Sequence, residues 1–158
     1  MTTENPTQNV TSQVRLRPAT ETDVPFLFNS WLRCYRHSHN TRGCENPVFF
    51  AQQHKLLEGL CKRASITIAC NQADIAQIYG YICHEQIEGV LVVHFVYVKE
   101  IYRKFGVAGI LAQSAGFDKD APVFYTHRTY SAEGLERKFK MVYNPYLAYY
   151  GYELGKSE

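Results

Sequence analysis

The sequence contains no apolar run long enough to cross a membrane. A spanning helix needs roughly 18–20 consecutive apolar residues, and the strongest apolar run, residues 89–98, is shorter and is interrupted by His94. Residues 1–12 are polar and carry Glu4 instead of a basic start, so we expect no secretory signal. The sequence therefore predicts a cytoplasmic protein without a membrane partner.

Cysteine pairs and an excess of one charge are also lacking. The five cysteines are an odd number with no CxxC pair, which predicts reduced thiols and no disulfide framework. Seventeen basic residues nearly balance fifteen acidic ones, so the net charge of +2 gives no global field for nucleic acid. Tryptophan occurs once and methionine twice, whereas tyrosine occurs 12 times in 158 residues. The hydrophobic fraction of 46% predicts one globular domain.

Apolar periodicity and turn residues divide the chain into strands and helices. The predicted strands cover residues 14–17, 65–70, 78–84, 90–98, 122–127 and 142–152. The predicted helices run from the caps near Thr20 and Asp23 through Cys34, and over residues 48–62, 106–117 and 132–139, the last capped by Ser131. This order predicts an α/β or α+β class. We expect a flexible arm at residues 1–13, a domain at 14–154 and a tail at 155–158.

A basic loop between a strand and a helix is the most informative stretch. A strand ends at Val98, and a helix begins at or near Gly106. A helix N-terminus exposes unpaired N–H groups and the positive end of the helix dipole, which favours anions. Gly106 allows the backbone to approach a phosphate closely, and Arg103 and Lys104 add positive charge. The stretch therefore indicates a pyrophosphate cradle, or else an ordinary connection with solvated basic residues.

Residues 103–108, RKFGVA, resemble the Arg/Gln-x-x-Gly-x-Gly/Ala signature of the GNAT acyltransferase superfamily. Residues 66–69 and 78–82 look like the second and third strands of that family, and residues 14–20 look like its opening, so the resemblance covers roughly residues 14–116. It implies a splayed mixed sheet flanked by helices in a single domain. It also implies direct transfer of an acyl group from acetyl-CoA to an amine acceptor, which is open among a small molecule, a protein amine and a modified nucleobase. The short chain, its Tyr-rich end and its atypical acid and base lead us to expect a bacterial or phage protein.

The resemblance also assigns residues to the cofactor. In the family, the fourth strand offers backbone groups to pantetheine, and the following loop and helix bind the pyrophosphate through backbone amides. Carried over by position, the cofactor-binding residues are Val96, Val98, Arg103, Lys104, Phe105, Gly106, Val107 and Ala108.

The usual acid and base of the family are missing from this chain. Many relatives carry a Glu on the fourth strand, but residues 90–98 contain no carboxylate, and only His94 and Tyr97 titrate there. His94 is the candidate base, or else a structural histidine. Many relatives also carry a Tyr on the last helix as the general acid, but this chain has Lys138 at the expected position. The catalytic candidates are therefore His94, Ser131 and Tyr143, with Tyr125, His127, Tyr146, Tyr149 and Tyr150 as further proton donors. A noncatalytic GNAT-like structural or partner-binding protein is the alternative.

A polar segment follows the first predicted helix. Cys34, His37, His39 and Cys44 imitate zinc ligands, but their spacing matches no common finger, so we expect no metal. In the family this segment borders the acceptor site, so Arg36, His37 and His39 are expected to influence substrate choice. Trp31, on the helix before it, is expected in the core.

Tyrosines are concentrated in residues 143–152. An aromatic strand there would cover the sheet or serve self-association as a homodimer. The alternative is a stacking platform for bases beside Arg128, Arg137, Lys138 and Lys140, which would make nucleic acid a partner.

Overall fold

Alternating apolar residues in the middle of the chain form the centre of a six-stranded sheet in the computed structural model, which describes residues 13–149. The strands follow one another in spatial order: β1 (Val14–Pro18), β2 (Ser65–Asn71), β3 (Ile78–Ile87), β4 (Val90–Val98), β5 (Val123–Tyr125) and β6 (Met141–Tyr143). Strands β1 to β4 are antiparallel, whereas β5 is parallel to β4 and β6 is parallel to β5. The sheet is therefore mixed, and the α+β class is confirmed.

Four α-helices cover the two faces of the sheet: α1 (Val24–Arg36), α2 (Asn46–Arg63), α3 (Val107–Ala115) and α4 (Tyr130–Glu136). Apolar residues of α1 and α2 pack with Phe95 on one face, and those of α3 and α4 pack with Val96 on the other. Trp31 is fully buried and stacks on Phe95 with ring centres 4.1 Å apart, so its place in the core is confirmed. No helix among residues 13–149 is long and apolar enough to span a bilayer.

An ion pair fixes the entry into α1. Nη1 and Nη2 of Arg17, at the end of β1, donate to the carboxylate of Asp23 at 2.7 and 2.9 Å. The Asp23 carboxylate also accepts the backbone N–H of Thr20 at 2.8 Å. Hydrogen bonding from Arg17 lowers the pKa of Asp23 to about 2. The pair therefore joins the first strand to the first helix.

A β-bulge places His94 outside the regular ladder of β4. Cys83 pairs with Phe95 and His84 pairs with Val93, so His94 is the extra residue. Strict alternation would place Val93 and Phe95 on the same face, but Val93 packs in the cluster under α3 and Phe95 in the cluster under α1. The bulge therefore changes which side chains of β4 face each layer.

Strands β4 and β5 pair over two positions only, Val92 with Phe124 and Val93 with Tyr125. The N–H of Thr126 makes one further hydrogen bond to the Val93 carbonyl at 3.1 Å. Strand β4 continues to Val98 without a strand beside it on that side, among the residues that the structure describes. The sheet is therefore splayed, as expected.

Two element predictions need correction. The strand expected over residues 142–152 ends at Tyr143, and Pro145–Tyr149 forms a 3₁₀ turn, because proline lacks the N–H that a strand ladder needs. The last helix is Tyr130–Glu136 instead of residues 132–139, and its cap is Thr129, whose Oγ1 accepts the N–H of Ala132 at 3.1 Å. Residues 150–152, the tail at 155–158 and nearly all of the arm at 1–13 lie outside the described residues.

Candidate functional site

A cleft of about 250 Å³ lies between the loop that follows β4, the first turns of α3, and α4. Six of the eight residues predicted to bind the cofactor line it: Val98, Arg103, Lys104, Gly106, Val107 and Ala108. Phe105 and Val96 are not part of the wall. The loop and the last helix, which are distant in sequence, therefore face one another across one cavity.

The loop end of the cleft is built to present backbone N–H groups. Gly106 caps α3 with φ of 84°, and Lys104 has φ of 71°. The left-handed region is strained for lysine, and such strain in a loop often marks a functional site. The N-terminus of α3 therefore opens on the cleft, where unpaired N–H groups and the helix dipole favour an anion.

Charge in the cleft is predominantly positive. Arg103 and Lys104 line it from the loop, and Arg137 and Lys138 line it from the turn after α4. Glu133 is the one carboxylate in its described wall. Residues from both basic clusters of the sequence therefore line a single cavity.

Beyond its short pairing with β5, β4 has a free edge whose peptide groups point away from β3. The N–H of Lys99 donates to Tyr79 of β3 at 2.9 Å. Because hydrogen bonding alternates along an antiparallel ladder, the peptide groups of Val96 and Val98 point away from β3. They face the gap that opens between β4 and β5.

Side chains currently pair with both carbonyls at this edge. Arg103 Nε donates to the Val98 carbonyl and Thr129 Oγ1 donates to the Val96 carbonyl, each at 3.0 Å. The Arg103 guanidinium also lies 4.9 Å from the ring centre of Tyr130. Both carbonyls therefore accept hydrogen bonds from side chains, which a ligand at this edge would replace.

His94 does not lie in the wall of the cleft. It is fully buried at the bulge, with Nε2 2.7 Å from Glu85 Oε1 and Nδ1 3.1 Å from Thr126 Oγ1. Burial lowers the pKa of His94, while the Glu85 carboxylate partly opposes that shift. The Glu85 carboxylate also accepts from Arg63 Nε at 3.3 Å.

The other two catalytic candidates lie in different surroundings. Ser131 lines the cleft in the first turn of α4. Tyr143 Oη accepts from Asn40 Nδ2 at 2.8 Å, and its ring centre lies 5.3 Å from that of Tyr125. No hydrogen bond within residues 13–149 joins His94, Ser131 and Tyr143 to one another. The catalytic role of each stays a prediction.

Two polar residues follow directly after β5 at the point where the sheet splays. Thr126 Oγ1 lies 2.8 Å from His127 Nδ1. The His127 ring contacts the rings of Trp31, Tyr35 and Phe95, with ring centres 5.2, 4.6 and 5.8 Å away. Burial, followed by the neighbouring His94, lowers the pKa of His127 to about 3. Sequence reasoning missed Thr126 and Glu85, because only the register across the bulge brings them to His94.

No family model and no curated protein matches this chain, so its similarity to known proteins is seen in solved structures. One solved structure, described as an acetyltransferase from Clostridium difficile 630, is similar to this chain with a TM-score of 0.52 and 13% sequence identity. The alignment covers 84% of this chain and 94% of that one. A second structure, described as an acetyl transferase from Pyrococcus furiosus, is similar with a TM-score of 0.51 and 14% sequence identity. That alignment covers 89% of this chain and 91% of the other. The chain has the GNAT fold.

YjaB from Escherichia coli, in its apo form, is 18% identical and has a TM-score of 0.46. That alignment covers 65% of this chain and 63% of YjaB, slightly under two thirds of each. In the GNAT fold of this chain, the splay of β4 from β5 and the loop before α3 stand where the sequence resemblance places them.

The segment between α1 and α2 forms a basic depression at the C-terminal end of α1. Arg36 holds the segment, because its guanidinium donates to Asn46 Oδ1, the Thr41 carbonyl and the Cys44 carbonyl at 2.7, 2.9 and 2.8 Å. The depression, of about 680 Å³, is lined by Arg33, Arg36, His37, Arg42, Asn46 and Phe50. No group of three or more metal-ligating side chains lies together in the described part of the chain.

The tyrosines after β5 are divided between the sheet and the surface. Tyr143 packs on Tyr125, whereas Tyr146 is 82% exposed and Tyr149 is 51% exposed. These two residues stand on the 3₁₀ turn and not on a strand. Base stacking or self-association through them stays a prediction.

Proposed function

We propose that this chain is an acyl-CoA-dependent N-acyltransferase that moves an acetyl group from acetyl-CoA to an amine. The observation that carries the proposal is the cleft on the GNAT fold, which joins the free edge of β4 to the positive N-terminus of α3. An extended thioester with a pyrophosphate at one end matches these two features in order. The fold comparison supports the fold alone, so the activity rests on this fit.

Each part of the cleft has a counterpart in an acyl-CoA. The N–H groups at the start of α3, with Arg103 and Lys104, would hold the pyrophosphate. The peptide groups of Val96 and Val98 would pair with the amides of pantetheine after Thr129 and Arg103 release them. A Cβ added at Gly109, in the wall of the cleft, meets no atom within 4 Å, so the backbone leaves room there.

The reaction needs one proton acceptor and one proton donor. The amine nitrogen forms a bond to the thioester carbonyl carbon and loses a proton to a base, and the carbon–sulfur bond breaks as the thiolate takes up a proton. His94, Ser131 and Tyr143 remain the candidates that the sequence assigns to these steps. The acceptor is an amine, and the basic depression beside α1 favours one that carries an anionic group.

Calorimetric titration with acetyl-CoA tests the proposal. We expect submillimolar binding by the wild type, and a loss of at least about tenfold in Arg103→Glu because a carboxylate there repels the pyrophosphate. Lys119→Glu makes the same charge change at an exposed turn after α3 and should bind within about twofold of the wild type.

The same titration distinguishes the alternatives. Binding by the wild type without turnover of any amine would favour a noncatalytic GNAT-like binding protein. No binding by the wild type at millimolar acetyl-CoA would end the enzyme proposal.

A further inference from the structure

Five polar side chains form a continuous chain of hydrogen bonds beside the splay of the sheet, and the three at its inner end, His94, Thr126 and His127, are buried. They come from α2, β3, the bulge of β4 and the residues that follow β5: Arg63, Glu85, His94, Thr126 and His127. The four links measure 3.3, 2.7, 3.1 and 2.8 Å in that order. The chain therefore connects the end of β5 to a carboxylate on β3 that is 14% exposed.

The hydrogen bonds of this chain have one consistent direction when His94 is neutral. A carboxylate only accepts, so His94 Nε2 carries the hydrogen that it donates to Glu85. His94 Nδ1 then accepts from the Thr126 hydroxyl, for which the His94 carbonyl at 3.3 Å is the longer alternative acceptor. Thr126 Oγ1 in turn accepts from His127 Nδ1, which leaves His127 Nε2 without a hydrogen. The chain ends in an unprotonated imidazole nitrogen.

The position of the chain points to chemistry and not to folding. Buried ionisable groups are costly compared with apolar residues of the same volume. These groups nevertheless cluster where β4 and β5 separate, since Thr126 makes the last backbone hydrogen bond to β4 and His94 is the bulge residue. Local departures from a simple apolar core are expected at functional sites.

We propose that His127 is the catalytic base and that Thr126, His94 and Glu85 form a relay that removes the proton from it. The proposal rests on the proposed function. His127 Nε2 takes the proton that the acceptor amine loses, and His127 Nδ1 passes its own proton to Thr126. The Thr126 hydroxyl proton moves to His94 Nδ1, so the net gain of one proton appears as an imidazolium at His94 beside the Glu85 carboxylate. Three positioning residues thereby keep His127 neutral.

The relay explains how a base in such surroundings can work. His127 is 3% exposed among aromatic rings and is not part of the cleft wall, so the relay requires that the acceptor amine, or one bridging water, reach Nε2 through the splay of the sheet. Burial lowers the pKa of both rings, but at His94 the Glu85 carboxylate partly offsets that shift, whereas His127 has no carboxylate beside it among the described residues. Besides the members of the chain, the titratable groups that face it are His84 from β3 and Tyr35 from α1.

Nitrogen-15 imidazole spectra of the full chain test the relay without any substrate. At neutral pH we expect His94 protonated on Nε2 and His127 protonated on Nδ1. On acidification, His127 should move its hydrogen to Nε2 in the same transition that charges His94, because Thr126 couples the two rings. Thr126→Val keeps the shape and removes the hydroxyl, so it should abolish the coupled switch, and Thr126→Ser should restore it.

An Nε2–H tautomer of His127 at neutral pH, or a coupled switch that persists in Thr126→Val, would overturn the relay. In amine-dependent thiol release from acetyl-CoA, we expect Thr126→Val to lower kcat about 10²-fold with the KM for acetyl-CoA nearly unchanged. A wild-type kcat in that variant would also overturn it. Failure of acetyl-CoA to bind would count against the proposed function and leave the spectra of the relay unchanged.

Discussion

Replacing Gly80 with alanine is expected to lower the free energy of unfolding by about 3 kcal/mol. A Cβ at this position of β3 would lie 2.3 Å from the Tyr97 carbonyl oxygen and 3.0 Å from Val98 Cα. Both atoms belong to the backbone of β4, so no side-chain rotation relieves the clash. Urea denaturation measures the loss of stability. The movement of β4 away from β3 that relieves the clash should also distort the edge of β4 beside the cleft.

Gly59→Ala is the matched control for that change. It adds the same methyl group in the interior of α2, where the Cβ would lie 3.9 Å from Arg63 Nη1. Alanine is the better helix former by about 1 kcal/mol, so this variant should be as stable as the wild type or more so. A Gly80→Ala protein within about 0.5 kcal/mol of the wild type would show that β3 and β4 do not approach so closely.

Gly109→Phe is expected to weaken acetyl-CoA binding at least about 100-fold, which corresponds to about 2.8 kcal/mol. Gly109 lies in the first turns of α3 and in the wall of the cleft. A Cβ there meets nothing within 4 Å, so α3 can accept a larger residue while the phenyl ring fills a cavity of about 250 Å³. Calorimetry on the folded variant measures the effect.

Gly109→Ala separates steric block from damage to the helix. It changes the same position by one carbon, so binding should stay within about threefold, and stability should rise by about 1 kcal/mol. Wild-type affinity in Gly109→Phe would place the ligand elsewhere on the molecule.

Local sequence signals predicted most of the fold. The alternation in residues 65–70 and 78–84, with polar turns between, is a property of neighbouring residues, and it corresponds to β2 and β3. The basic loop before Gly106 was likewise readable, because a glycine between a strand and an apolar helix lets the backbone approach an anion closely, and Gly106 caps α3 in the left-handed conformation. Arg137 and Lys138 looked like a separate basic cluster, and folding brings them to the cleft of Arg103 and Lys104.

The surroundings of His94 could not be predicted, because they depend on register across strands. In strict alternation His94 shares a face with Val92 and Val96, which left its direction open. The bulge shifts the pairing by one residue and sets His94 against Glu85 and Thr126, nine and 32 positions away. No periodicity in one strand records such a shift.

Backbone amide spectra of the wild-type chain during titration with acetyl-CoA test the central claim most directly. Our account predicts that the largest shift changes occur at Val96, Val98 and residues 104–109, and that they saturate at submillimolar ligand. Changes confined to other parts of the chain, or no changes at millimolar acetyl-CoA, would contradict the assignment of this cleft to an acyl-CoA.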